Sequence, residues 1–149
     1  MEQKNKNNMK YYTDTQQKFI NTLLKNGKKE KAEKIFNSSM SYISHMSSDN
    51  PAVILEKAIN NCKPMIELKP VRIAGATYRI PFELATKRQV SIAIRWIILS
   101  SKSVNYNNLA LALANEIIRC YNNQGSCIKK KEEIHKIGEA NRAFAHFRW

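Results

Sequence analysis

Met65-Ile-Glu-Leu-Lys-Pro-Val-Arg-Ile-Ala-Gly-Ala-Thr-Tyr-Arg-Ile-Pro-Phe-Glu-Leu84 is where the sequence changes rhythm. On either side, apolar residues recur every three or four positions. Here β-branched and aromatic residues crowd together and alternate. The stretch predicts two strands joined at Ala74-Gly75, with Gly75 free to take a positive φ. Ile66, Leu68 and Val71 to Ile73 are expected on one side of the ribbon, and Tyr78, Ile80, Phe82 and Leu84 on the other. Pro70 and Pro81 each remove a backbone donor, which suits a ribbon with two free edges and not a central strand. Such a ribbon is marginal alone, so it should pack at its base and project at its tip.

The flanks read as helices. Asp14, with Gln17 as capping-box partner, opens the first, whose face is Phe19, Ile20, Leu23 and Leu24, and Gly27 ends it. Lys28 and Lys29 open the second, with Ala32, Ile35, Phe36, Met40 and Ile43 inward and a polar link from Ser44 to Asn50. Asn50 caps the third, Pro51 takes its first position, and Ile54, Leu55, Ala58, Ile59 and Cys62 form its stripe until Pro64. Thr86 with Gln89 opens the fourth, with Val90, Ala93, Ile94, Ile97 and Ile98 inward and a polar link from Ser100 to Asn108. The fifth carries Leu109, Leu113, Ile117 and Tyr121, and its alanines suit a central position. A sixth is expected from Lys129 or Lys130, carrying Ile134, Ile137 and Ala140. The expected fold class is all-α. A single domain of about six helices, 13–149, carries a projecting two-stranded β-hairpin arm at about 65–84 between the third and fourth helices. A flexible basic arm, 1–12, precedes it.

Charge narrows the function. Lys plus Arg number 25 against 12 acidic residues, a formal charge of +13. Such one-sided charge opposes a compact state, so it answers to a polyanion, with nucleic acid ahead of membrane surfaces and acidic proteins. No apolar run is long enough to span a membrane. The hairpin sets Lys69, Arg72 and Arg79 on a narrow ribbon that can fork onto phosphates. Lys28-Lys29 and Lys129-Lys130-Lys131 stand at expected helix starts, where positive charge opposes the helix dipole and so suggests a phosphate ligand. The lysines Lys4, Lys6 and Lys10 extend the basic surface. Arg142, Phe144, His146, Phe147, Arg148 and Trp149 interleave cations with aromatics, able either to stack on bases or to tuck the terminus onto the core.

Catalysis finds little support. Asp14 and Asp49 both sit at expected helix starts. His45, His135 and His146 lack metal spacing, and Cys127 with His135 is a weak pair. Cys62, Cys120 and Cys127 are odd in number and contain no C-x-x-C, so neither a disulfide framework nor a zinc site is expected. No cofactor, metal or enzymatic activity is expected.

Several stretches resemble the family of the bacterial-type small ribosomal subunit protein seven. They are Lys69-Pro-Val-Arg-Ile-Ala-Gly-Ala-Thr-Tyr-Arg-Ile-Pro81, Ala93-Ile-Arg-Trp-Ile97, Leu23 to Glu33, and the closing run from Lys129 to Trp149. The resemblance implies a structural ribosomal protein that binds the 3′ major domain of small-subunit ribosomal RNA and nucleates assembly of the subunit head. It places the turn residues Arg72, Ala74, Gly75 and Arg79 near exit-site tRNA and mRNA. It also implies neighbouring head proteins and small-subunit protein eleven as partners, and no membrane. Tyr78, Phe147 and Trp149 are the expected aromatic support. Against the family pattern, lysine and asparagine replace arginine from Lys4 to Lys10, and Val71 and Ala74 stand where arginine and glycine are usual. Arg79 stands where a neutral residue is common, and the link near Ser101 to Asn108 keeps only Lys102. With a composition rich in A/T-coded residues, these departures suggest an organelle-encoded protein, mitochondrial in the first instance. The alternative is an A/T-rich bacterium.

Overall fold

The computed structural model describes residues 12–104 and 107–147. Six helices follow in order: α1 (Asp14–Leu23), α2 (Lys29–Met46), α3 (Pro51–Cys62), α4 (Thr86–Ser103), α5 (Leu109–Tyr121) and α6 (Ser126–Ala140). Between α3 and α4 stands one antiparallel hairpin, β1 (Ile66–Ile73) and β2 (Ala76–Glu83), and a 3₁₀ turn, Arg142–Phe147, follows α6. The expected architecture is thus present.

The core forms around α5. Ala110, Ala112, Leu113, Ala114, Ile117 and Cys120 are all buried, and the small volumes of the alanines let α2, α3 and α4 approach closely. Phe19, Phe36, Ile43, Ile54, Leu55, Ile94 and Ile97 complete the same cluster. Each such side chain contributes about 1.5–3 kcal/mol on burial. Tyr12, assigned to the N-terminal arm by its sequence, belongs to the fold. Its ring meets Phe36 edge-on at 6.0 Å, and its hydroxyl accepts from Asn37 Nδ2 at 3.1 Å. The remainder of that arm lies outside the described residues.

Several boundaries differ from the sequence reading. Thr13 and not Asp14 caps α1: its Oγ1 accepts from Gln16 N–H at 3.2 Å, and Gln16 Oε1 accepts from Thr13 N–H. Thr13/Gln16 and Asp14/Gln17 both fit the capping box, and the chain uses the earlier pair. The expected box at Thr86 does not form either. Ala85 occupies the cap, and Gln89 turns back to donate to the Leu84 carbonyl at 2.9 Å. Helix α2 runs on to Met46, and α4 continues to Ser103, through residues read as links. In α4 the Ser101 and Ser103 hydroxyls bond carbonyls three residues back, so a serine-rich end stays helical. Helix α6 opens earlier than expected, at Ser126, straight after Gly125 at φ 99°.

The strand pairing also corrects the face assignment. Val71 pairs with Tyr78, and Lys69 with Ile80, while Leu68 pairs with Pro81 and Pro70 with Arg79. Paired residues share a face. Val71 and Ile73 therefore lie with Tyr78, Ile80 and Phe82, whereas Ile66, Leu68, Pro70 and Arg72 lie with Arg79 and Pro81. A bare alternation cannot reveal this, because Arg72 and Lys69 interrupt it. Helix α6 docks under the second face. Gly138 makes this possible: a Cβ there would collide with Ile66 Cδ1, while Pro81 and Leu68 would be in ordinary contact with it. On the first face Phe144 stacks on Tyr78, with centroids 4.4 Å apart. The ribbon is thus clamped on both faces as far out as Tyr78, while Arg72 and Ala74 to Thr77 are exposed at the tip.

The tip is a two-residue turn in which Ala74 (φ 49°) and Gly75 (φ 84°) both take the left-handed region. An alanine there is strained by roughly 1 kcal/mol. Ala74→Gly should therefore strengthen the turn by up to about 1 kcal/mol, read as slower amide exchange in β1 and β2. Gly138→Ala should act oppositely on the hairpin: displacing the Ile66 methyl costs about 1–3 kcal/mol, offset by up to about 1 kcal/mol of helix propensity in α6, so hairpin exchange should rise relative to exchange in α6. Equal exchange in both variants would show that neither the turn nor the Gly138 contact governs hairpin order.

Candidate nucleic-acid interface

Helix α4 carries Arg88, Ile92, Arg95 and Trp96 at spacings that place them on one face. That face looks toward the docked hairpin. Between hairpin, α4 and α6 lies a groove of about 470 Å³, with Arg79, Arg88, Arg95 and Lys130 on its walls and Ile66, Leu68, Pro70, Ile92 and Ile134 between them. Glu67 is the one carboxylate in it, and it pairs with Arg88 at 3.0 Å. Lys130 Nζ sits 5.2 Å from the Trp96 ring centre, a cation–π contact that holds the ammonium at the groove wall.

A second basic hollow forms where α1 turns into α2. Lys25, Lys28 and Lys31 line it, and Lys102 from the last turn of α4 joins them. Lys29 and Lys34 continue the patch outside. Asn26 and Gly27, both at positive φ, make the turn that presents these lysines. The α2 N-terminus has no side-chain cap, and neither have those of α4 and α6, whereas Thr13, Asn50 and Asn108 cap the other three. Among the described residues only Arg88–Glu67 and Arg142–Glu139 form ion pairs. Little of the positive charge is neutralised internally.

The expected site residues fare differently. Lys28, Lys29, Arg72, Arg79, Lys129 and Lys130 are exposed. Lys69 is exposed too, with its Nζ 4.8 Å from the Phe82 ring centre. Lys131 is turned inward and donates to the Asn61 carbonyl at 3.0 Å, closing the end of α3. The three lysines stand one turn inside α6 rather than at its start, so the helix-end N–H groups are not beside them. Tyr78 is occupied by Phe144, which supports the hairpin from within. Phe147 belongs to the 3₁₀ turn, while Lys4, Lys6, Lys10, Arg148 and Trp149 lie outside the described residues. Arg88, Arg95 and Trp96 were missed by the sequence reading, although their seven- and eight-residue spacing was a visible signal. The Cys127 and His135 pair does not form: His135 Nε2 accepts from Met65 N–H at 3.1 Å.

The three cysteines, whose spacing gave no sign of a common site, come together in the fold. The sulfurs of Cys62, Cys120 and Cys127, on three different helices, lie within 4.8 Å of one another in the core. Adjacent spacing in sequence could not show a cluster assembled from three helix ends.

The profile of the ribosomal protein S7p/S5e family matches residues 1–142. The chain belongs to this family. The small ribosomal subunit protein uS7 of Petrotoga mobilis is 45% identical over 132 residues, which is 89% of this chain and 85% of that protein. Those of Desulfatibacillum aliphaticivorans and Thermomicrobium roseum are 41% identical over 140 residues, 94% of this chain and 90% of theirs. As a member of the S7 family the chain is a structural protein of the small ribosomal subunit and not an enzyme. These relatives are bacterial and lend no support to the mitochondrial expectation. No described helix is long and apolar enough to cross a membrane.

His135 gives a test of how α6 holds the hairpin base. Burial, with Lys131 nearby, holds its pKa below the ordinary histidine value. The folded state therefore prefers the neutral ring, which alone accepts from Met65. This contribution is complete above the unfolded value of about 6.5 and is lost as pH falls through the lower folded value. Between about pH 7.5 and 5.5 the urea midpoint of the parent should lose ground to that of His135→Gln as the pH falls. A midpoint difference that stays constant with pH would remove His135 from the account.

Proposed function

We propose that the groove between the hairpin, α4 and α6 receives phosphates of the 3′ major domain of small-subunit ribosomal RNA. On this reading binding nucleates assembly of the subunit head. The observation that carries it is the convergence of Arg79, Arg88, Arg95 and Lys130 from three elements around one carboxylate. A narrow groove with cations on both walls suits a folded RNA backbone, which offers phosphates on a curved surface and is recognised largely by shape. Apolar floor residues and Trp96 provide a face on which a base or ribose can pack. The Lys25, Lys28, Lys31 and Lys102 hollow is a second phosphate contact, so orientation is fixed at two separated points. Lys129 and Arg142 extend this surface, and Lys4, Lys6, Lys10 and Arg148, outside the described residues, are proposed as further contacts to the RNA.

The exposed tip, with Arg72, Ala74 and Gly75, is proposed to lie beside exit-site tRNA and mRNA. A turn free of core contacts is available to such ligands without disturbing the groove. Neighbouring head proteins and small-subunit protein eleven are the proposed protein partners. The bacterial relatives favour a bacterial-type ribosome as the setting over the organelle suggested by composition.

Salt titration separates binding from packing. Each phosphate contact contributes somewhat less than one unit to the dependence of log K on log salt, so Arg79→Ala with Arg95→Ala should lower the slope by about two on a 3′ major domain transcript. Lys131→Ala should instead lower stability and leave the slope nearly unchanged, since its ammonium is bonded to Asn61. Arg72→Ala should weaken primary binding least. An arginine pair whose loss alters neither affinity nor slope would remove the groove from the interface.

A further inference from the structure

Cys62 ends α3, Cys120 lies in the last turn of α5, and Cys127 is the second residue of α6. All three are buried free thiols, and their sulfurs lie within 4.8 Å of one another. Whatever the shape of that triangle, a point within about 2.8 Å of all three sulfurs exists, against a zinc–sulfur distance of about 2.3 Å. Small side-chain rotations would close the difference.

A fourth donor stands beside them. Glu116, one turn before Cys120, is only 4% exposed, and its Oε1 lies 3.6 Å from Cys127 Sγ and 4.0 Å from Cys120 Sγ. No described ion pair neutralises it. A carboxyl group buried in a protein core is costly unless it has partners. Plain packing at the three cysteine positions would be served as well by alanine or valine. A disulfide would consume two thiols and leave the third unexplained.

We propose that Cys62, Cys120, Cys127 and Glu116 bind a single Zn²⁺ that clips α3, α5 and α6 together. Three sulfurs and one oxygen suit zinc, which takes both donors tetrahedrally, better than copper(I), which prefers sulfur alone. The surroundings are built for deprotonated sulfur. Cys127 sits in the first turn of α6, where helix N–H groups favour a thiolate. Its sulfur is 3.3 Å from Ser100 Oγ, which itself lies 2.7 Å from Ser126 Oγ. The helix ends are fixed independently: Asn61 Nδ2 donates to the Cys120 and Tyr121 carbonyls, and Lys131 donates to the Asn61 carbonyl. The donors thus sit on a rigid frame, as a metal site needs.

The full-length chain, purified under reducing conditions and stripped with a chelator, is titrated with Zn²⁺ and with Co²⁺ as spectroscopic probe. One ion per chain is expected, with sulfur-to-cobalt charge-transfer absorption, the strong visible bands of a tetrahedral site, a raised melting temperature, and thiols protected from a disulfide reagent. Glu116→Gln, similar in shape, should keep the circular dichroism of the parent and weaken zinc binding by at least about tenfold, the lower end of what loss of even an outer partner costs. Cys127→Ser should weaken zinc binding and lower the charge-transfer band at one ion per chain to no more than that of two thiolates. Failure of the parent to bind zinc stoichiometrically, a cobalt spectrum without sulfur charge transfer, or an intact mass showing a disulfide would each overturn the proposal. Undiminished zinc affinity in a folded Cys127→Ser would do the same.

Discussion

Close burial of α5 is the constraint on which the rest of the structure depends. A helix enclosed by α2, α3 and α4 must be thin where they touch it. Ala110, Ala112 and Ala114 supply that thinness, while Leu113 and Ile117 fill the spaces between. With that axis apolar nearly throughout, the cations of the chain have nowhere to go but outward. Arg88 and Arg95 fall on the outer face of α4 because Ile94, Ile97 and Ile98 take its inner face. The basic surface is in this sense the complement of the core.

The hairpin depends on the same packing at one remove. Two strands cannot hold themselves together in water, and this pair is held from both faces. Gly138 lets α6 lie flat under Ile66 and Pro81, and the 3₁₀ turn brings Phe144 onto Tyr78. A further tether runs from Asn141 Nδ2 to the Arg79 carbonyl at 2.9 Å. The C-terminal residues therefore hold the ribbon in the position that creates a groove against α4. A hairpin free to swing would leave Arg79 far from Arg95 for much of the time, and the two would not act as one site.

Membership of the S7 family gives this geometry its setting, and the chain's particular residues give it variation. Arg79 adds charge to the second strand, opposite Pro70, and faces the groove. Lys102, the one cation kept where the link was read, meets the lysines of the α1–α2 turn. Charge absent from one stretch of sequence is thus gathered from separated stretches onto shared surfaces.

The sequence by itself determined the element order. Periods of 3.6 and 2, Pro51 at a helix start, Pro64 at a helix end and Ala74-Gly75 at the turn are local signals, and local sterics and hydrogen bonding suffice to read them. The stripes of α3 and α5 were legible for the same reason. Local signals were less decisive where two frames fit equally, as with Thr13 and Asp14, or where serines satisfied helix carbonyls and carried α4 past its expected end. What only the tertiary structure decided was which side chains meet. The pairing register sorted the hairpin faces, the docking of α6 turned Lys131 inward and brought Lys130 over Trp96, and three helix ends placed Cys62, Cys120 and Cys127 together. Those contacts join residues up to about 70 positions apart, as Lys131 and Asn61 are. They follow from how apolar surfaces of different elements fit one another in three dimensions, a property that no single stretch of sequence contains.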